Sequence, residues 1–97
     1  MTNREIIIED LILNLKADKK RQKNESFLNE IFLNFAQAAH DAREYAEGAC
    51  DDDVLEDVVE SEKILKILED LLASQEPNYK KIVEIMIDKK SWFCFTI

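Results

Sequence analysis

Apolar residues recur along this chain at intervals of three and four, in stretches separated by polar breaks. That spacing is the period of an α-helix, and it predicts four helical segments followed by a tail. In the first, Ile8, Leu11, Ile12 and Leu15 line one face, and Ile6, Ile7 and Leu13 broaden it. Thr2 and Glu5 fit a capping box ahead of it, a hydroxyl and a carboxylate three residues apart that satisfy the first free amides. The pattern then dissolves into "KADKKRQKN", residues 16–24, which reads as a basic loop. The second segment is the clearest. Phe27, Leu28, Ile31, Phe32, Phe35, Ala38, Ala39, Ala42, Tyr45 and Ala46 fall within about 140° of a helical wheel. Asn24 or Ser26 serves as its cap, and Gly48 as the left-handed residue that ends it.

The third segment spans about 52–73, capped by Asp51, Asp52 or Asp53. Its apolar face shifts part-way. Val54, Leu55, Val58 and Val59 define one arc; Ile64, Leu65, Ile67, Leu68, Leu71 and Leu72 define another, rotated by roughly 100°. Either the helix bends near "ESEK", with Ser61 capping a restart, or its two halves meet different neighbours. A fourth segment follows "SQEPN", with Pro77 in its first turn and Tyr79, Ile82, Val83, Met86 and Ile87 on one face. The tail "SWFCFTI", residues 91–97, is dense in aromatics and alternates like a strand. With no second strand to pair with, it continues the last helix, packs as an extended strap over the bundle, or awaits a partner's sheet edge.

Composition narrows the fold. One Gly and one Pro in 97 residues leave too few turn residues for hairpins or sandwiches. Charged residues at 35% beside 46% apolar suit amphipathic helices and not a disordered chain. The expectation is an all-α protein: one antiparallel four-helix bundle over residues 1–97, with a short aromatic tail at 91–97. No apolar run reaches the length of a membrane span. Glu5, Glu9 and Asp10 interrupt the first apolar stretch, which disfavours a secretory leader. Cys50 and Cys94 stand far apart, in no metal-like spacing. A reduced, cytoplasmic protein is expected.

Charge changes the picture most. Residues 41–62 carry ten acids and one base, Arg43, for a net of −9 against −8 for the whole chain. The rest of the sequence is therefore nearly neutral. Asp53, Glu56, Asp57 and Glu60 share one helical face within about 100°. Like charges three and four apart each cost a few tenths of a kcal/mol. A surface of this kind attracts a basic protein and repels nucleic acid and anionic lipid. The candidate partner-binding residues are Glu47, Asp51, Asp52, Asp53, Glu56, Asp57 and Glu60, together with Trp92 and Phe93 of the tail. Two adjacent helix ends that collected capping and solubilising acids would look the same.

Catalytic chemistry finds little support. Helical nucleotide pyrophosphatases hold magnesium with ExxE and ExxD on two helices; Glu44-Tyr45-Ala46-Glu47 matches the first half by letter, and no ExxD follows. The triple aspartate lacks the alternating ligands and glycine of a calcium loop. His40, the single histidine, lies on a polar face and suggests neither a zinc site nor a triad. The basic loop, with Lys16, Lys19, Lys20, Arg21 and Lys23, has no interleaved aromatics, and its place in an acidic protein argues against nucleic-acid contact. No enzyme activity, cofactor or metal is expected.

In size, helix count and acidity the chain resembles the helical bacteriocin immunity proteins. One group of these neutralises nuclease toxins through an acidic helix followed by a paired-tyrosine turn; here Tyr45 and Tyr79 are far apart and that motif is absent. The other group, which protects against pore-forming peptides, is a four-helix bundle with a variable C-terminal tail. The resemblance implies a small acidic binding protein that neutralises a basic partner, such as a bacterial toxin. A phage-type inhibitor that mimics nucleic acid would use the same surface. A housekeeping adaptor with incidental charge is the third expectation.

Overall fold

The computed structural model of the chain describes residues 3–95. Four α-helices are present: α1 (Asn3–Ala17), α2 (Glu25–Ala49), α3 (Asp52–Leu72) and α4 (Tyr79–Asp88). Short 3-10 turns cover Arg21–Lys23 and Lys90–Phe93. No strand occurs among the described residues, and the architecture is the expected all-α four-helix bundle. No helix among them is long and apolar enough to cross a membrane. Thr2 of the expected capping box lies outside the described residues.

The buried faces follow the helical period. Ile8, Leu11, Ile12 and Leu15 are the buried residues of α1, and Leu28, Ile31, Phe35, Ala38, Ala39, Ala42 and Ala46 those of α2. Ile82, Val83 and Met86 are the inner face of α4. Ile6, Ile7 and Leu13, expected to broaden the core face of α1, are exposed instead. Four positions over two turns already fill the contact a 15-residue helix makes here. Phe32 is only half-buried, so the aromatic anchor of α2 is Phe35.

The helix ends show which residues stop each element. The Asn24 side chain accepts the Phe27 amide at 3.2 Å and opens α2; the Asn78 side chain accepts the Lys81 amide at 3.1 Å and opens α4. Pro77 therefore lies ahead of the cap and not in the first turn. Between α1 and α2 the basic segment folds back: the Gln22 side-chain amide donates to the Leu15 carbonyl at 3.1 Å. The Arg21 guanidinium lies over the Phe27 ring. A sequence without apolar period is thus ordered by capping carbonyls rather than by burial.

Gly48 does not end α2. The helix runs past it, and the left-handed residue is Cys50, at φ 54° and ψ 40°. A Cβ added at Gly48 would meet nothing within 4 Å. Asp51 caps α3, its side chain accepting the Val54 amide at 3.2 Å. Two residues thus reverse the chain, and α2 and α3 pack side by side as the most extensive helix pair.

α3 is unbroken, so Ser61 does not restart it. The inward stripe runs Val54, Val58, Ser61, Leu65, Leu68 and Leu72, spaced four, three, four, three, four. Ser61 holds a core position, and that polar occupant is why the apolar arc reads as rotated. The two halves of α3 do meet different neighbours. Leu68 belongs to the main core with α1, α4 and Phe93; Val58 is buried outside that cluster, as are Ala39, Ala42 and Ala46.

These backbone assignments make opposite demands on two neighbouring positions. Gly48→Ala should raise stability by roughly 0.5–1 kcal/mol, because glycine only costs entropy inside a helix. Cys50→Gly should raise it by a similar amount, roughly 1 kcal/mol, by removing the left-handed penalty of a side chain. Urea midpoints followed by far-UV circular dichroism check both; a loss at Gly48→Ala would mean that Gly48 is the residue that turns the chain.

Candidate functional site

The acidic face is built by the start of α3. Asp51 is committed to the cap, and Asp52 and Asp53 stand in the first turn, where the helix dipole favours negative charge. Asp52, Asp53, Glu56 and Asp57 are exposed and have no cation partner among the described residues. Glu60 is paired with Lys63 at 3.0 Å, one turn on. The expected four-carboxylate face therefore holds three free acids, Asp53, Glu56 and Asp57, with Asp52 beside them.

Arg43 offers these acids nothing. It donates to both carboxylate oxygens of Glu62, with its Nε 3.1 Å from Oε2, and to Glu47 at 3.1 Å. Hydrogen bonds to Glu62 and then Glu47 hold its guanidinium above its ordinary value. Glu62 faces the opposite flank of α3 from the acidic face, by the helical period. Glu47, one of the expected partner-binding acids, is thus consumed in a clasp between α2 and α3. Glu44, the other half of the ExxE match, pairs with His40 at 3.1 Å. Among the described residues no three His, Cys, Asp or Glu side chains gather where they could hold a metal ion.

The second wall of the site is the tail. After α4 the chain turns through Lys90–Phe93 and packs on the bundle as a strap, in a compact 3-10 turn where the sequence suggested an extended one; Thr96 and Ile97 lie outside the described residues. Phe93 is the anchor. It is 1% exposed and stacks on Phe35, with ring centroids 4.2 Å apart and planes within 2°. Burying such a ring stabilises by roughly 1.5–3 kcal/mol, and the stack adds roughly 0.5–1.5 kcal/mol. Phe93 is accordingly a core residue and not the partner contact the sequence suggested. Trp92, next to it, points outward and is 38% exposed.

A serine joins the two walls. The Ser61 hydroxyl lies 2.8 Å from the Asp57 carbonyl and 2.7 Å from the Trp92 carbonyl, in a fully buried position. One proton serves two acceptors; the Asp57 carbonyl also has a helical amide, so the tail's carbonyl depends on this hydroxyl more. The two residues it joins line a groove of about 320 Å³ together with Val54, Ser91, Cys94 and Phe95. Burial first, then the carboxylates of Glu5 and Glu9, push the Cys94 thiol up; Lys90 opposes them weakly.

Sequence reasoning named Asp57 and Trp92 but missed Ser61, Val54 and Cys94. The signal for Ser61 was present: a lone polar residue in an apolar seam with three-and-four spacing. Leu33 is exposed beside Asn29 and Glu30, near the start of α2, and takes no part in this groove. No protein-family model, curated protein or solved structure matches this chain.

Removing the pin tests the site's construction. Ser61→Ala should cost about 1–3 kcal/mol, because the Trp92 carbonyl is left without its partner. The emission of Trp92, the single tryptophan, should shift to longer wavelength as the strap loosens. A wild-type urea midpoint together with wild-type emission would show that the hydroxyl does not hold the strap.

Proposed function

We propose that this is a binding protein that docks a basic protein partner on the first turns of α3 and the adjoining strap, as an immunity protein neutralises a toxin. The observation that carries the reading is the juxtaposition of unpartnered acids with a half-exposed tryptophan. Asp57 lines the same groove as Trp92. Interfaces draw most of their affinity from a few buried aromatic or arginine anchors, and Trp is the most enriched of these. Carboxylates around such an anchor steer a cationic partner and fix its register. The local cost supports the same conclusion. Asp53 repels Glu56 and Asp57 at three and four residues, and solubility alone does not require those acids on one face.

Nucleic acid and anionic membranes are poor partners for this surface, since they share its sign. The partner expected is therefore a protein with a positive patch, met in the same compartment. Neutralisation follows from occupancy: a patch covered by α3 and the strap no longer reaches its own target.

The test is a variant carrying Asp53→Asn, Glu56→Gln, Asp57→Asn and Glu60→Gln. It should fold as the wild type does and match it in stability or gain slightly as repulsion is relieved. Captured partners should be lost or weakened. Association with the wild type should be fast and should slow as salt rises past about 0.1 M, where the Debye length falls below about 10 Å. Equal capture by the two proteins, with the same salt dependence, would reduce the acidic stretch to a solvated helix start.

A further inference from the structure

We infer that the groove between α3 and the strap is the seat of one arginine side chain of the partner, its guanidinium laid against the Trp92 indole and paired with the Asp57 carboxylate. The inference rests on the docking reading above and adds the chemistry of the residue received. The groove is lined on one side by Val54 and Asp57 and on the other by Ser91, Trp92, Cys94 and Phe95. Its volume of about 320 Å³ leaves room for one long side chain. Val54, Cys94 and Phe95 offer apolar contact to a methylene stem, Trp92 offers an aromatic face, and Asp57 offers the two oxygens of a carboxylate.

Arginine fits this set better than lysine. The guanidinium is planar, weakly hydrated, stacks on aromatic faces and meets a carboxylate with two parallel donors. A lysine ammonium is compact and strongly hydrated, and gains less from a ring it must desolvate to reach. Asp57 has no cation of its own among the described residues, so no internal pair must break before the guest arrives. The groove is also preorganised. The Ser61 hydroxyl lies against the carbonyls of both Asp57 and Trp92, which fixes the spacing of the two walls.

Two short, blocked, fluorescein-labelled peptides identical except for arginine or lysine at each basic position provide the probe. Fluorescence anisotropy at low salt should show the arginine peptide binding the wild type about two- to fivefold more tightly, the range of an exposed cation–π contact. Trp92→Leu should bring the arginine peptide down to the affinity of the lysine peptide, and Trp92→Phe should leave an intermediate preference. Asp57→Asn should weaken the arginine peptide more than Asp53→Asn does, although both remove one charge. Far-UV circular dichroism establishes that each variant is folded. Equal affinities in the wild type, or a preference that survives Trp92→Leu, would overturn the arginine seat. If those equal affinities also collapse in the four-carboxylate variant, the acidic docking surface stands and only the seat falls. No binding of either peptide overturns the seat as well, while partner capture decides the docking reading on its own terms.

Discussion

The burial of Phe93 against Phe35 is the contact on which the surface of this protein depends. α4 is only ten residues long, and the core it helps cover would remain open beyond Asp88. Phe93 enters that gap and brings the strap with it. Because successive residues of a tight turn point in different directions, burying Phe93 forces Trp92 outward. The exposed indole is therefore not an uncovered core residue. It is placed by its neighbour's burial, and Ser61 sets its distance from α3.

Charge is arranged around that anchor. The single cation of residues 41–62 is held by Glu62 and Glu47, where it clasps α2 to α3. Asp51 is spent on a cap, Glu60 on Lys63. Asp52, Asp53, Glu56 and Asp57 remain in the first turns of α3, and Asp57 is the one that borders the strap. Placement in the first turns softens the cost, since the helix dipole favours acids there. By Asp57 that benefit has faded, and the repulsion from Asp53 has not. The carboxylate in the groove is thus one that neither a cation nor the dipole compensates.

Much of this was legible in the sequence, and the failures have physical reasons. The core faces of α1, α2 and α4 follow from spacing, because burial imposes the helical period directly. Gly48 misled because glycine permits a left-handed turn without requiring one; Cys50 takes it because the reversal into Asp51 falls two residues later. Serine favours caps, which leaves a restart at Ser61 open beside the unbroken helix; tertiary structure decides it by supplying a carbonyl for the hydroxyl inside the bundle. Phe93 and Trp92 look equivalent as letters, and only the gap beside α4 separates them. Single-helix ion pairs such as Glu60 with Lys63 were within reach of the sequence; the Arg43 clasp to Glu62 required knowing that α2 and α3 lie side by side.

The central claim is that folding carries Trp92 from a basic stretch of sequence to an acidic surface. Collisional quenching of this single tryptophan by caesium and by iodide, at matched ionic strength, measures that directly. In the unfolded chain Lys89 and Lys90 are its nearest charged neighbours, so iodide should quench better in concentrated urea. In the folded protein the Asp57 carboxylate on α3 lines the same groove as Trp92, so caesium should quench better. A reversal of the preference on folding is the predicted result. Iodide remaining the better quencher in the native protein would contradict the account.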